Sequence, residues 1–139
     1  MSKAMGIPAM GHATCGGHVT LLFTVEDSEI EPYLQGSRGA GLCLDTGCKV
    51  SVRGVHGQWG VNVGFRGFEG SEDIVRGIFD VVSEDLPHIR KMKWDVAVNN
   101  NLPTSQGFGM SAALAIAISR AIPVSYTHLR AHETLSNLV

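Results

Sequence analysis

Apolar and polar positions change rhythm several times along the 139 residues. Val19, Leu21, Leu22, Phe23 and Val25 form a β-branched and aromatic run that predicts a buried strand over 13–25, entered through a Gly16-Gly17-His18 turn. Acidic residues and Pro32 follow, then a glycine loop over 35–41. Residues 42–52 read as a strand interrupted near Thr46-Gly47 by turn chemistry, and His56-Gly57 as a further turn. Trp59, Val61, Val63 and Phe65 then alternate with Gly60, Asn62 and Gly64, the period of two that marks a half-buried strand.

The period lengthens after Ser71, which reads as a helix N-cap with Glu72 and Asp73 against the positive end of the helix dipole. Ile74, Val75, Ile78, Phe79, Val82 and Leu86 recur at spacings of three and four, so an amphipathic helix is predicted that stops before Pro87. Residues 94–98 predict a short strand, and 99–108 a polar loop in which Asn99, Asn100 and Asn101 read as turn-formers before adenine contacts. The run 111–122 is apolar almost all round and predicts a buried helix. Strands first and helices later point to an α+β fold in a single domain.

Composition narrows the function classes. A chain that is 44% hydrophobic and carries a net charge of −2 is neither disordered nor equipped with a basic field, so nucleic acid is not an expected partner. No run approaches the roughly 20 apolar residues of a membrane span, and the first residues carry no apolar core of a secretory signal. Cys15, Cys43 and Cys48 make an odd count without a C-x-x-C spacing. That argues against a disulfide framework or zinc knuckle and for a reduced, cytoplasmic chain, with Cys43 and Cys48 as small core residues.

The segment 124–139 reads unlike the rest: it has no glycine, and its apolar residues follow neither a helical nor a strand period. Residues 124–134 match, letter for letter, the translation of a transposase-type sequencing adaptor. Such processing scars are excluded from fold reasoning, so Tyr126, His128, Arg130, His132 and Glu133 are given no functional role. The expectation is a domain over 1–122 and an adaptor-derived 123–139.

The chemistry concentrates just before the last predicted helix, in Pro103-Thr-Ser-Gln-Gly107-Phe108-Gly109-Met110-Ser111-Ala112-Ala113. Glycines let backbone N–H groups turn toward a ligand, and a helix N-terminus adds unsatisfied donors and a positive dipole end. Together they suit a phosphate. A glycine loop that only caps a helix is the alternative. The Walker A pattern is absent because no lysine follows the loop. Gly107, Gly109 and Ala112 formally satisfy G-x-G-x-x-A, but eight residues separate the preceding strand from the first glycine, which the dinucleotide fingerprint does not allow.

The run P-x-x-x-G-x-G-x-S-A-A resembles the second motif of the GHMP small-molecule kinases, with Phe108 and Met110 in place of the usual Leu and first Ser. Gly17-His18-Val19-Thr20 stands where that superfamily carries P-G-H-x-T, with Gly16 in place of Pro. Gln35-Gly36-Ser37-Arg38-Gly39-Ala40-Gly41 and the 107–111 loop are similar to the archaeal pantoate kinases. The resemblance implies the superfamily's N-terminal ATP-binding domain, a ribosomal-protein-like α+β fold, here truncated. It further implies ATP- and Mg2+-dependent phosphorylation of pantoate on the way to coenzyme A.

Carried over residue by residue, the resemblance assigns Pro103, Gly107, Phe108, Gly109, Met110, Ser111 and Ala112 to ATP and its phosphates, and Ser111 also to Mg2+. It assigns His18, Ser37 and Arg38 to the acceptor. Helix capping for Ser111, a solvated surface position for Arg38 and a satisfied turn histidine for His18 stay open beside these roles. Catalytic acids are expected downstream of the truncation, so the chain by itself is expected to be inactive and to leave apolar surface uncovered, helix 111–122 included. Another GHMP kinase acting on mevalonate, homoserine or a sugar, or a non-catalytic nucleotide-binding domain, are the competing readings, and a homodimer is the alternative to a monomer.

Overall fold

The computed structural model describes residues 8–136, and the side-chain surroundings of 8–125. Its elements run β1 (Ala9–Glu26), β2 (Gly36–His56), β3 (Gly60–Arg66), α1 (Glu72–Asp85), β4 (Met92–Asn100) and α2 (Met110–Ser136), with 3-10 turns at Pro32–Leu34 and Pro87–Lys91. They form one mixed sheet in the order β1-β2-β4-β3. β2 pairs antiparallel with both β1 and β4, while β3 lies parallel to β4. A parallel pair needs a long crossover, and α1 supplies it. The architecture is α+β.

Strand alternation gives the sheet one apolar and one polar face. On the apolar face Val50 and Val52 of β2, Val61 of β3 and Trp94, Val96 and Val98 of β4 are buried. Helix α2 covers them with Met110, Ala113, Leu114, Ala117, Ile118, Ala121 and Ile122, and α1 with Val75 and Phe79. Trp94 is fully buried, its ring centroid 5.5 Å from that of Phe79, and its indole N–H donates to the Ile89 carbonyl at 3.1 Å. The indole therefore enters the core with its one polar atom satisfied. Across the opposite face His12 Nδ1 lies 2.8 Å from Ser51 Oγ, Asn62 donates to Asp95 at 3.0 Å, and Arg53 pairs with Asp95 at 3.6 Å.

Several sequence expectations change, and the reasons are tertiary. Gly16-Gly17-His18 is no turn: β1 runs through it with a bulge between Gly16 and His18. The expected loop over 35–41 is the beginning of β2, paired with the far end of β1; β2 runs on through Thr46-Gly47, but its ladder with β1 is interrupted there, where residues 44–46 have no partner and the register shifts. Cross-strand pairing overrides local turn preference here. The run at 19–25 is a strand but not a buried one. Leu21, Leu22, Phe23 and Val25 are all exposed, because among the described residues no helix lies over this end of the β1–β2 ribbon.

Cys43 is exposed on the same ribbon, whereas Cys48 is 1% exposed and belongs to the core as expected. Asn99 and Asn100 are strand residues of β4 and not turn-formers. Ser71 does precede α1, yet its hydroxyl makes no capping bond. Helix α2 buries one stripe instead of its whole circumference, leaving Ile116 exposed, so apolar surface is uncovered on that helix as expected and, more extensively, on the ribbon. Its backbone also continues through Pro123 to Ser136, past the predicted end at 122. Ser125 is buried there, donating to the Ile122 carbonyl at 2.6 Å, while the side-chain surroundings of Tyr126, His128, Arg130, His132 and Glu133 lie outside the described residues.

Candidate functional site

The loop between β4 and α2 is built on left-handed backbone. Ser105 has φ 59°, Gly107 φ 81° and Gly109 φ 62°. Such values cost an L-residue with a Cβ roughly 1–2 kcal/mol, so the two glycines are where a tight loop needs them, and Ser105 carries strain. Gly109 has a second constraint: a Cβ placed on it would fall against the His18 imidazole. His18 in turn donates its backbone N–H to the Phe108 carbonyl at 3.0 Å. A Cβ on Gly17 would meet the same carbonyl, the Leu102 side chain and the Met110 thioether. The bulge in β1 and the glycine loop therefore lock together, and the two motifs singled out in the sequence meet in one corner of the molecule.

Helix α2 starts directly from this corner. The Ala113 N–H donates to the Gly109 carbonyl at 3.0 Å, which makes Gly109 the cap residue. The N–H groups of Met110, Ser111 and Ala112 then have no acceptor within the helix. Ser111 and Ala112 are exposed, while Met110 is 5% exposed, its side chain turned into the core. Pro103 and Gly107 are exposed on the loop, and Phe108 is half-buried.

Two cavities flank the His18–Gly109 contact. The first, of about 390 Å³, has Met110 and Ser111 on one side and Phe65, Phe68, Asn100 and Ser105 among its other walls. The two phenylalanine rings meet edge to face with centroids 5.1 Å apart. Asn100 Oδ1 is buried with no hydrogen-bond partner among the described residues, so an acceptor is left for an incoming donor. Glu69 also lines this space. Apolar walls, one free acceptor and a helix N-terminus thus meet in one space, the last of them suited to an anion.

The second cavity, of about 420 Å³, is lined by His18, Thr20, Phe23 and Ser37 together with Gly39, Ala40 and Gly41 of β2. Arg38 does not line it. It stands opposite Thr24 in the ladder, and alternation along β2 turns it away from Ser37. Of the three residues assigned to an acceptor, two share a cavity and the third faces elsewhere. Pro103, Gly107, Phe108, Gly109 and Ala112 line neither cavity; from this set the first cavity takes Met110 and Ser111.

Sequence reasoning missed Phe65, Phe68 and Ser105, and weighed Asn100 as a turn residue. The spacing Phe65-Arg66-Gly67-Phe68 was a usable signal: two aromatic residues around a glycine at the end of a strand, with Gly67 at φ 77°. Among the described residues no group of three or more His, Cys, Asp or Glu side chains is placed to hold a metal ion, and no helix is long and apolar enough to cross a membrane.

Burial, and after it the neighbouring Cys15, pushes the Cys48 thiol up to about 11. Cys48 stands opposite Cys15, one rung from the bulge that holds the glycine loop.

No family model matches the sequence, and no curated protein matches it. Solved structures do. The chain is similar to a phosphotransferase related to the coenzyme A biosynthesis pathway, with 28% identity and a TM-score of 0.59 over 78% of this chain and 37% of that one. It is similar to a protein assigned as a sugar kinase from Campylobacter jejuni, at 13% identity and a TM-score of 0.59 over 91% of this chain and 43% of that one. It is also similar to mevalonate diphosphate decarboxylase from Staphylococcus aureus, at 15% identity and a TM-score of 0.55 over 84% and 37%. The chain thus spans well under half the length of these relatives. Over that span its fold is the α+β fold of the GHMP-family kinases.

Proposed function

We propose that the complete enzyme is an ATP- and Mg2+-dependent small-molecule kinase of the GHMP type, and that its acceptor is pantoate, in archaeal coenzyme A biosynthesis. The observation that carries the kinase reading is the corner where Gly17-His18 locks onto Phe108-Gly109-Met110. The acceptor rests on the G-S-R-G-A-G run of β2 and on the coenzyme A context of the structure that shares 28% identity.

Phosphoryl transfer asks a protein for positioning and electrostatic stabilisation more than for covalent chemistry. In this reading the base packs against the Phe65–Phe68 pair where it lines the first cavity, with an amino group on Asn100 Oδ1. The triphosphate then reaches the N–H groups of Met110, Ser111 and Ala112, where the helix dipole favours negative charge. Bound Mg2+ would supply charge neutralisation at the phosphates, and Ser111 and Glu69 are the residues that would help to hold it. Ser111 Oγ suits one ligand position, and the Glu69 carboxylate lines the same cavity. The acceptor occupies the second cavity, with its hydroxyl toward His18 and its other polar groups near Ser37. The His18–Gly109 contact is the partition across which the phosphoryl group passes. Arg38 faces away from the second cavity, so its charge acts on the anionic acceptor only at a distance.

The test uses the full-length enzyme amplified from source DNA across codon 122, which also reads whether the adaptor-like residues are genomic. Pantoate, mevalonate, homoserine and a sugar are offered with ATP and Mg2+, and ADP formation is followed. Pantoate alone is expected to turn over, and Ser111→Ala to lower kcat at least about tenfold. Turnover of a different acceptor would overturn the substrate assignment; none with any acceptor would overturn the kinase reading.

A further inference from the structure

Cys15 and Cys48 face each other across the β1–β2 ladder, and both are free thiols. Directly opposed residues of an antiparallel pair share a face, with Cα atoms about 4.5 or 5.5 Å apart depending on the rung. Both separations lie inside the range of roughly 4.4–6.8 Å that a disulfide spans. The two thiols differ in access. Cys48 is buried beside Val50 and Val52, whereas Cys15 is half-buried at the edge of the core, its sulfur 3.5 Å from the Gly16 carbonyl. A reagent in solution reaches Cys15 first, and the nearest second thiol is already in place.

The position matters for the site. On the next rung Gly16 stands opposite Gly47, and the Gly47 carbonyl accepts the N–H of Asn101, the residue that opens the glycine loop, at 2.8 Å. Beyond the bulge His18 holds the other side of that loop through Phe108. The thiol pair therefore sits under both anchors of the loop.

We propose that Cys15 and Cys48 are an oxidisable dithiol that closes to a cross-strand disulfide when it meets a disulfide-class oxidant such as oxidised glutathione. The Cys15 thiolate attacks one sulfur of the oxidant, forming a mixed disulfide and releasing one glutathione thiolate. The Cys48 thiolate then attacks the Cys15 sulfur and expels the second glutathione. Each cysteine gives up its proton to solvent, the pair loses two electrons, and the oxidant is reduced to two thiols. Because the Cys48 thiol is held high, near 11, its step is the slow one and depends on alkali. This inference stands independently of the kinase reading.

The experiment incubates the folded chain with oxidised glutathione, quenches by alkylation, and maps non-reduced peptides by mass spectrometry. A peptide joining Cys15 to Cys48 is expected in the native chain and equally in Cys43→Ser, which removes the exposed third thiol. In Cys48→Ala, Cys15 is expected to stop at the glutathione adduct. Closure should accelerate about tenfold per pH unit between pH 7 and 10, following the thiolate fraction of Cys48. A Cys43→Ser chain that accumulates only the Cys15 adduct overturns the proposal, as does linkage of Cys15 to Cys43 in the native chain. Circular dichroism checks each variant, and Cys43→Ser, an exposed position, carries the test if Cys48→Ala does not fold.

Discussion

β1 and β2 pair along nearly their whole length, yet the two ends of the ribbon they form have opposite fates. At one end Cys48, Val50 and Val52 disappear under α2. At the other, Leu21, Leu22, Phe23, Val25 and Leu42 are more than half exposed, although their sequence is the more apolar. Both regions are antiparallel ladder, regular from Ala9 to Gly16 and broken by register shifts between Gly16 and His18 and between Thr20 and Leu22. What differs is the element laid across it: the stripe of α2 from Met110 to Ile122 covers the first region, and among the described residues no element covers the second. Hydrophobicity makes a strand eligible for a core, but a second layer decides whether it becomes one. The glycine loop lies at the border between the two regions, where β1 bulges.

The sharpest way to break this contrast is to cut the covered region at its centre. Trp94→Ala removes the largest fully buried side chain, its contact with Phe79 and its hydrogen bond to Ile89. A loss of about 3–5 kcal/mol is expected in urea unfolding. A loss under about 1 kcal/mol would mean that the helices do not pack on the sheet as described.

The next effect comes from the buried thiol. The Cys48 pKa is raised from 9.0 to about 11, so the folded state holds its proton where the unfolded state has released it. Stability from this source is fully present below pH 9, declines as the pH rises, and is gone above about 11. At about 1.4 kcal/mol per unit the decline is roughly 2–3 kcal/mol. Unfolding curves from pH 8 to 11 should show it in the native chain, and the difference should vanish in Cys48→Ala.

How far these regions were legible in the sequence follows from what sets each one. The amphipathic period of 74–86, the alternation of 59–65 and the apolar run before Pro123 are local signals, and each produced its element. The glycine loop was legible because Gly107, Gly109 and the following small residues are demanded by backbone geometry that any ligand or helix start imposes. Local signals failed where pairing between distant segments decides. The 35–41 run carries turn chemistry yet is held as strand by its partner, while Gly16-Gly17 and Thr46-Gly47 make an irregularity within the ribbon instead of a turn that ends a strand. The exposure of Phe23 was illegible for a related reason: a strand's own residues do not say whether a helix will arrive over them. Arg38 was read from a motif whose strand alternation had not been applied, because the segment was expected to be a loop.

The border itself gives a smaller effect. Gly109→Ala places a Cβ at φ 62° against the His18 ring. The backbone term alone is about 1–2 kcal/mol, and His18 must turn aside as well. Thermal unfolding should report that loss, and a fluorescent ATP analogue should bind at least about tenfold more weakly, because the helix N-terminus shifts with its cap. Unchanged nucleotide binding would separate the glycine loop from the phosphate site.

The smallest effect should come from the uncovered end. Phe23→Ser removes a large apolar side chain that is 63% exposed, so little transfer energy is at stake. Stability is expected to change by less than about 0.5 kcal/mol. The behaviour in solution should change more. β1 is an edge strand of 18 residues whose far half presents Leu21, Leu22, Phe23 and Val25 to solvent. An exposed, apolar edge is a template for pairing with another chain. Light scattering at rising protein concentration should therefore show less association for Phe23→Ser than for the native chain, at equal stability. A loss of 2 kcal/mol or more, on the scale of core truncations, would show that the ribbon end is packed in solution and that the contrast between the two regions is wrong.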